Sequence, residues 1–147
     1  MKKIYYPYDE FIADLKTLTQ EIDVEFDAIL AVARGGLSMA QMLGEFYDIR
    51  EVYAINTIGY EETQKLETLK VFNIPHLAIS SNILIVDDIV DSGDTLKAVL
   101  STLKSRYPDK FFYTASLFYK PTAIIKPDWY VKIADDWIEF FWSEDLR

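Results

Sequence analysis

Apolar positions along this chain recur with two different periods, and the alternation between them predicts an α/β architecture. Phe11, Ile12, Leu15, Leu18 and Ile22 fall at helical spacing, behind Asp9 as a candidate N-cap. Residues 28–32 (Ala28, Ile29, Leu30, Ala31, Val32) are continuously apolar and predict a short buried strand, stopped by Arg34, Gly35 and Gly36. Leu37, Ala40, Met42, Leu43 and Phe46 predict a helix over 37–47, and 52–58 a second strand. The apolar run 83–86 predicts a third strand, and Leu96, Val99, Leu100 and Leu103 the apolar face of the following helix. Further strands are expected at 111–118 and 129–133. Such alternation implies a mainly parallel sheet with right-handed crossovers and helices on its faces. Residues 59–81 show no clean period and predict a long loop, a length that usually carries function or motion. No repeat, linker or low-complexity tract divides the chain, so one domain over 1–147 is expected.

Composition narrows the setting. Half of the 147 residues are hydrophobic, which is ample for a globular core. No apolar run approaches the roughly 20 residues of a membrane helix. The first seven residues carry two lysines but no apolar stretch or cleavage site of a signal peptide. The chain has no cysteine, so it has neither a disulfide framework nor a thiolate metal site, and a cytoplasmic location is expected. A net charge of −9 without a basic tract argues against nucleic acid as a partner. It leaves room for a small anion, because helix-start amides and a divalent cation hold phosphate without net positive charge. Nine Phe, ten Tyr and three Trp exceed what one small core easily hides, which points to a subunit interface.

Candidate chemistry concentrates at residues 83–95. The strand Ile83, Leu84, Ile85, Val86 ends in Asp87 and Asp88, passes through Ile89 and Val90 to Asp91, and turns at Ser92, Gly93, Asp94 and Thr95 into a helix. Open α/β sheets bind ligands outside the carboxyl ends of their strands. Gly93 permits close backbone approach, Ser92 and Thr95 offer hydroxyls, and the helix start presents amides with a favourable dipole. Two adjacent carboxylates at a strand end are costly to bury unless sugar hydroxyls or a cation such as Mg²⁺ meets them.

This segment resembles the phosphoribosyl pyrophosphate (PRPP) signature of type I phosphoribosyltransferases, matching it at every position. The resemblance implies that family's fold: a mainly parallel central sheet flanked by helices, a flexible loop and a small C-terminal hood. It implies that Asp87 and Asp88 engage the ribose hydroxyls, with Asp88 as the ligand to Mg²⁺, and that Asp91, Ser92, Gly93, Asp94 and Thr95 wrap the 5′-phosphate. Arg34 and Gly35 stand where the family has its pyrophosphate loop, often with a cis peptide before the basic residue, here Ala33–Arg34. Phe118, Lys120 and Pro121, with Trp137, Ile138, Glu139 and Trp142 farther on, are similar to the bacterial xanthine–guanine phosphoribosyltransferases over nearly the whole chain. That similarity implies Lys120 on the purine 6-oxo group, Trp137 stacked on the ring, and the Ile138 backbone at the 2-position. It also implies Asp91 as the catalytic group at purine N7, and a dimer or tetramer.

The flap departs from the family pattern. Ile58, Gly59 and Tyr60 stand where a Ser-Tyr pair is usual, and the family's loop arginine is replaced by Lys65, with Lys70 as the second choice. Lysine is not equivalent to arginine for bidentate phosphate contact. His76, in the same segment, has no counterpart and reads as an ordinary surface residue. Three alternatives stay open: an enzyme of the same fold acting on another base, a non-catalytic sensor of PRPP or nucleotides, and an unrelated phosphate-binding module.

Overall fold

The computed structural model describes residues 2–61 and 67–147. In chain order the elements are β1 (Lys3–Tyr6), α1 (Tyr8–Glu21), β2 (Ala28–Ala33), α2 (Leu37–Tyr47), β3 (Val52–Glu61), β4 (Glu67–Phe72), β5 (Asn82–Val90), α3 (Asp94–Arg106), β6 (Phe111–Tyr119), β7 (Trp129–Ile133), β8 (Trp137–Phe140) and the short α4 (Phe141–Glu144). A six-stranded sheet has the order β4-β3-β2-β5-β6-β7, parallel except for the β3–β4 pair.

The continuous apolar runs are explained by burial on both faces. Ile29, Ala31, Leu84, Val86, Ala115 and Leu117 point to the layer of α1 and α2, where Phe11, Leu15, Leu18, Met39 and Leu43 meet them. Their sequence neighbours Ala28, Leu30, Val32, Ile83 and Ile85 point to the opposite layer, against Leu96, Val99 and Leu103 of α3. Each fully buried aliphatic side chain contributes about 1.5–3 kcal/mol relative to exposure. That drive holds β2 and β5 side by side at the centre, and their connections then leave in opposite directions. The chain runs outward from β2 to β3 and β4, returns to β5, and continues to β6 and β7 on the other side. The crevice beyond the carboxyl ends of β2 and β5 is therefore a topological switch point.

Two expectations need correction, and one element lies outside the predicted pattern. Helix α1 starts at Tyr8 after an extended Pro7, whose carbonyl accepts the Phe11 amide at 3.1 Å. Asp9 is therefore inside the first turn, beside Glu10, and complements the helix dipole instead of capping it. The expected loop 59–81 instead contains part of a hairpin: β3 continues to Glu61, and β4 pairs antiparallel with it from Asn56↔Phe72 to Glu61↔Glu67. Val71 packs inward while Lys70 and Phe72 face solvent, so the alternation exists but is short and carries an exposed Phe72. Finally, β1 was absent from the predicted pattern. It pairs in parallel with β8, so the hood is a two-stranded sheet joining both ends of the described chain. Among the described residues, no helix is long and apolar enough to cross a membrane.

Candidate active site

Strand ends and their turns bring the candidate residues to one edge. β5 runs on through the acid pair to Val90, with Asp87 opposite Ser116 of β6. The Asp88 amide donates to Asp87 Oδ1 at 2.9 Å and the Ile89 amide to Asp88 Oδ1 at 2.7 Å. Burial pushes the Asp87 carboxyl well above its usual range, and the neighbouring Asp88 charge pushes the same way. Burial also raises Asp88, opposed by hydrogen bonds to its charged form. Among the described residues, no lysine or arginine forms an ion pair with either carboxylate. This pair is thus electrostatically unfinished, and its chemistry fits a hard divalent cation. Carboxylate oxygens are hard ligands of the kind Mg²⁺ takes, and that ion completes its shell with water and substrate oxygens.

The β2 loop closes on the same acids. The Ala33–Arg34 peptide is cis. A Cβ at Gly35 would overlap the Asp88 carboxylate, and one at Gly36 would overlap the Val86 carbonyl, so only glycine lets this loop lie against β5. Arg34 is exposed at this strand end.

Beyond Asp91, the turn enters α3 through Gly93 at φ 88°, a cap residue that offers no side chain of its own. A Cβ on Gly93 would come within 3.0 Å of Ile125 and 3.1 Å of the Ile124 nitrogen. The Ser92 carbonyl accepts the Ile124 amide at 2.8 Å, and the Ser92 hydroxyl accepts the Asp94 amide at 3.2 Å. Residues 87–93, Thr95 and Leu96 line a cavity of about 230 Å³. Asp94, exposed in the first turn of α3, is outside that lining.

A larger cavity of about 640 Å³ adjoins it, lined by Lys120, Trp137 and Ile138 among others. Ile89 and Asp91 line both cavities. Lys120 follows β6, its amide donating to the Val90 carbonyl at 3.0 Å and its Nζ lying 3.1 Å from Asp91 Oδ1. Trp137 opens β8, is 57% exposed and lines this cavity. Arg34 and Gly35 line neither cavity. Lys70 is exposed on β4, 5.7 Å above the Phe72 ring, and Lys65 lies outside the described residues. His76 is exposed.

A phosphoribosyl transferase domain model matches residues 3–147. The chain belongs to the phosphoribosyltransferase family. A xanthine-guanine phosphoribosyltransferase of Cereibacter sphaeroides is 30% identical, covering 99% of this chain and 90% of that one. The Helicobacter pylori xanthine-guanine-hypoxanthine phosphoribosyltransferase superposes with a TM-score of 0.91 at 42% identity, covering 99% and 96% of the two chains. A Pyrococcus horikoshii purine phosphoribosyltransferase gives 0.85 at 31% identity, covering 98% and 95%. The fold is the type I phosphoribosyltransferase fold expected from residues 83–95.

Several wall residues escaped the sequence reading. Lys3, Asp136, Glu139, Ser143 and Glu144 line the larger cavity of this phosphoribosyltransferase. Lys3 is remote in sequence from the others and reaches this wall because β1 pairs with β8, which sets it opposite Trp137. Interaction with Glu144 raises the Glu139 carboxyl above its ordinary range. The backbone role of Ile124 had no signal either, since it depends on how the 121–126 turn lies over Ser92.

Proposed function

We propose that this phosphoribosyltransferase joins a 6-oxopurine (guanine, xanthine or hypoxanthine) to PRPP, releasing pyrophosphate and forming the nucleoside 5′-monophosphate. The observation that carries this reading is Asp91: one carboxylate lines both cavities and lies 3.1 Å from Lys120. A phosphoribosyl donor on the smaller cavity and a flat base in the larger one would meet across it.

The smaller cavity suits the sugar phosphate. Ser92 and Thr95 hydroxyls, with the amides at the start of α3, hold the 5′-phosphate, and Asp87 and Asp88 accept from the ribose hydroxyls. Asp88 would hold Mg²⁺, which when bound supplies positive charge against the departing pyrophosphate. Arg34 adds a cation at the same strand edge, and Lys65 is assigned to pyrophosphate from the family resemblance alone.

In the larger cavity, Lys120 has three donors, enough to keep Asp91 and still donate to a 6-oxo group. An amino group at that position offers hydrogens instead of a lone pair and is disfavoured. The exposed Trp137 face stacks on the ring, and the Ile138 backbone addresses the 2-position. As the C1′–N9 bond forms and the C1′–pyrophosphate bond breaks, Asp91 accepts a hydrogen bond or proton at N7. The similarity of the Cereibacter and Helicobacter enzymes, whose names specify these bases, supports the assignment. The enzyme incubated with guanine, PRPP and Mg²⁺ should yield GMP and pyrophosphate in equal amounts. PRPP that stays intact with every 6-oxopurine would contradict the reading.

A further inference from the structure

The hood carries Trp137, yet its strands stand apart from the six-stranded sheet. Something must fix the height and tilt of the stacking face relative to Lys120. The Trp137 amide donates to the Lys2 carbonyl at 3.1 Å, and Lys3 is its Cα partner in β1. Three residues on, β1 enters the core at Tyr6, which is 2% exposed. Its hydroxyl donates to Asp14 Oδ2 of α1 at 2.5 Å. Its ring meets Phe118 edge-on at 5.0 Å and Phe140 at 5.6 Å. Phe118 precedes Lys120 by two positions on β6, and Phe140 ends the strand that Trp137 begins.

Tyr6 therefore touches the helix layer, the strand that leads into Lys120 and the hood at once. Asp14, 6% exposed, also meets Lys132 of β7 at the same carboxylate oxygen, the Lys132 Nζ lying 3.1 Å from it and 3.2 Å from Glu10. A buried carboxylate with two partners is a fixed point. Packing alone would be served by phenylalanine, so the hydroxyl adds orientation more than volume.

We propose that Tyr6, acting through its hydroxyl on Asp14, is a positioning residue for the base: it sets β1, and through β1 the Trp137 face, relative to Lys120. This rests on the reading that Trp137 and Lys120 hold the base. The test is steady-state kinetics with guanine and PRPP for Tyr6→Phe, Asp14→Asn and Trp137→Ala, with deuterium exchange at the Trp137 amide. Tyr6→Phe should raise KM for guanine about three- to tenfold, the scale of one hydrogen bond. It should leave KM for PRPP unchanged and speed exchange at Trp137. Asp14→Asn loses the charge that holds Lys132 and weakens the acceptor for the hydroxyl, so it should raise KM for guanine in the same direction as Tyr6→Phe, again with KM for PRPP unchanged. Trp137→Ala should raise KM for guanine about tenfold or more through lost stacking. An unchanged guanine KM in Tyr6→Phe or in Asp14→Asn, or equal rises in both KM values in either variant, would overturn the positioning role and leave the base site intact. An unchanged guanine KM in Trp137→Ala would instead overturn the base site itself.

Discussion

The two halves of the site are built in opposite ways. The phosphate side is local: Asp87 to Thr95 are consecutive residues running from a strand end into a helix, and all of them except Asp94 line one small cavity together with Leu96. The base side is assembled from distant segments, with Lys120 at the end of β6, Trp137 on β8, and Lys3 from β1. A local site is preorganised by short-range geometry, such as a glycine at φ 88° and amides one residue away. An assembled site depends on tertiary contacts far from the ligand, so damage to it can start anywhere in the hood. Asp91 belongs to both halves.

Breaking that shared residue should have the largest effect. Asp91→Asn keeps the shape but not the charge, and turnover with guanine should fall about 10²- to 10⁴-fold, the usual range for a general acid–base group. PRPP binding, measured by calorimetry, should persist; near-normal turnover would remove Asp91 from the chemistry. Next, Lys120→Ala should weaken 6-oxopurines about ten- to hundredfold, the scale of a hydrogen bond from a charged donor. Its KM for PRPP should stay put, which separates the halves; equal losses on both sides would point to misfolding.

The complementary break is Gly93→Ala. The positive φ and the crowding by Ile124 and Ile125 make any side chain strained there. A cost of about 1–3 kcal/mol is expected, visible as a lower thermal midpoint, with KM for PRPP raised more than KM for guanine. The smallest effect concerns the acid pair without substrate. The folded-state pKa of Asp87 is raised, so the folded chain binds more protons than the unfolded one. Stability should therefore decline as pH rises from about 4, the ordinary aspartate range, through the raised folded value. Asp87→Asn should lift the thermal midpoint at pH 7, and the gain should vanish near the lower end of that window. Unfolding scans at several pH values check the sign, and Mg²⁺ with PRPP should shrink the gain by stabilising the parent.

The same contrast explains what was legible in the sequence. Residues 83–95 could be read directly because strand, acids, glycine and helix are adjacent, and their apolar run reflects burial on both faces. Lys120 and Trp137 stood out only through the family resemblance of their motifs, and their lining of one cavity with Asp91 is a product of strand order. β1 was missed because Lys3, Ile4, Tyr5 and Tyr6 form too short a run to show a period, and its partner lies at the other end of the chain. β4 was missed for a similar reason, with an exposed Phe72 and Lys70 blurring two inward positions. Asp14 sat unremarked on an amphipathic helix; its burial exists only because Tyr6 and Lys132 converge on it.

The most direct test of the central claim is a panel of guanine, xanthine, hypoxanthine and adenine with PRPP, run with and without Mg²⁺ on the parent enzyme and on Lys120→Ala. The account predicts Mg²⁺-dependent turnover of 6-oxopurines by the parent, adenine at least about a hundredfold worse in kcat/KM, and a narrowed gap in Lys120→Ala. Adenine turned over as well as guanine by the parent, or a gap untouched by Lys120→Ala, would contradict it.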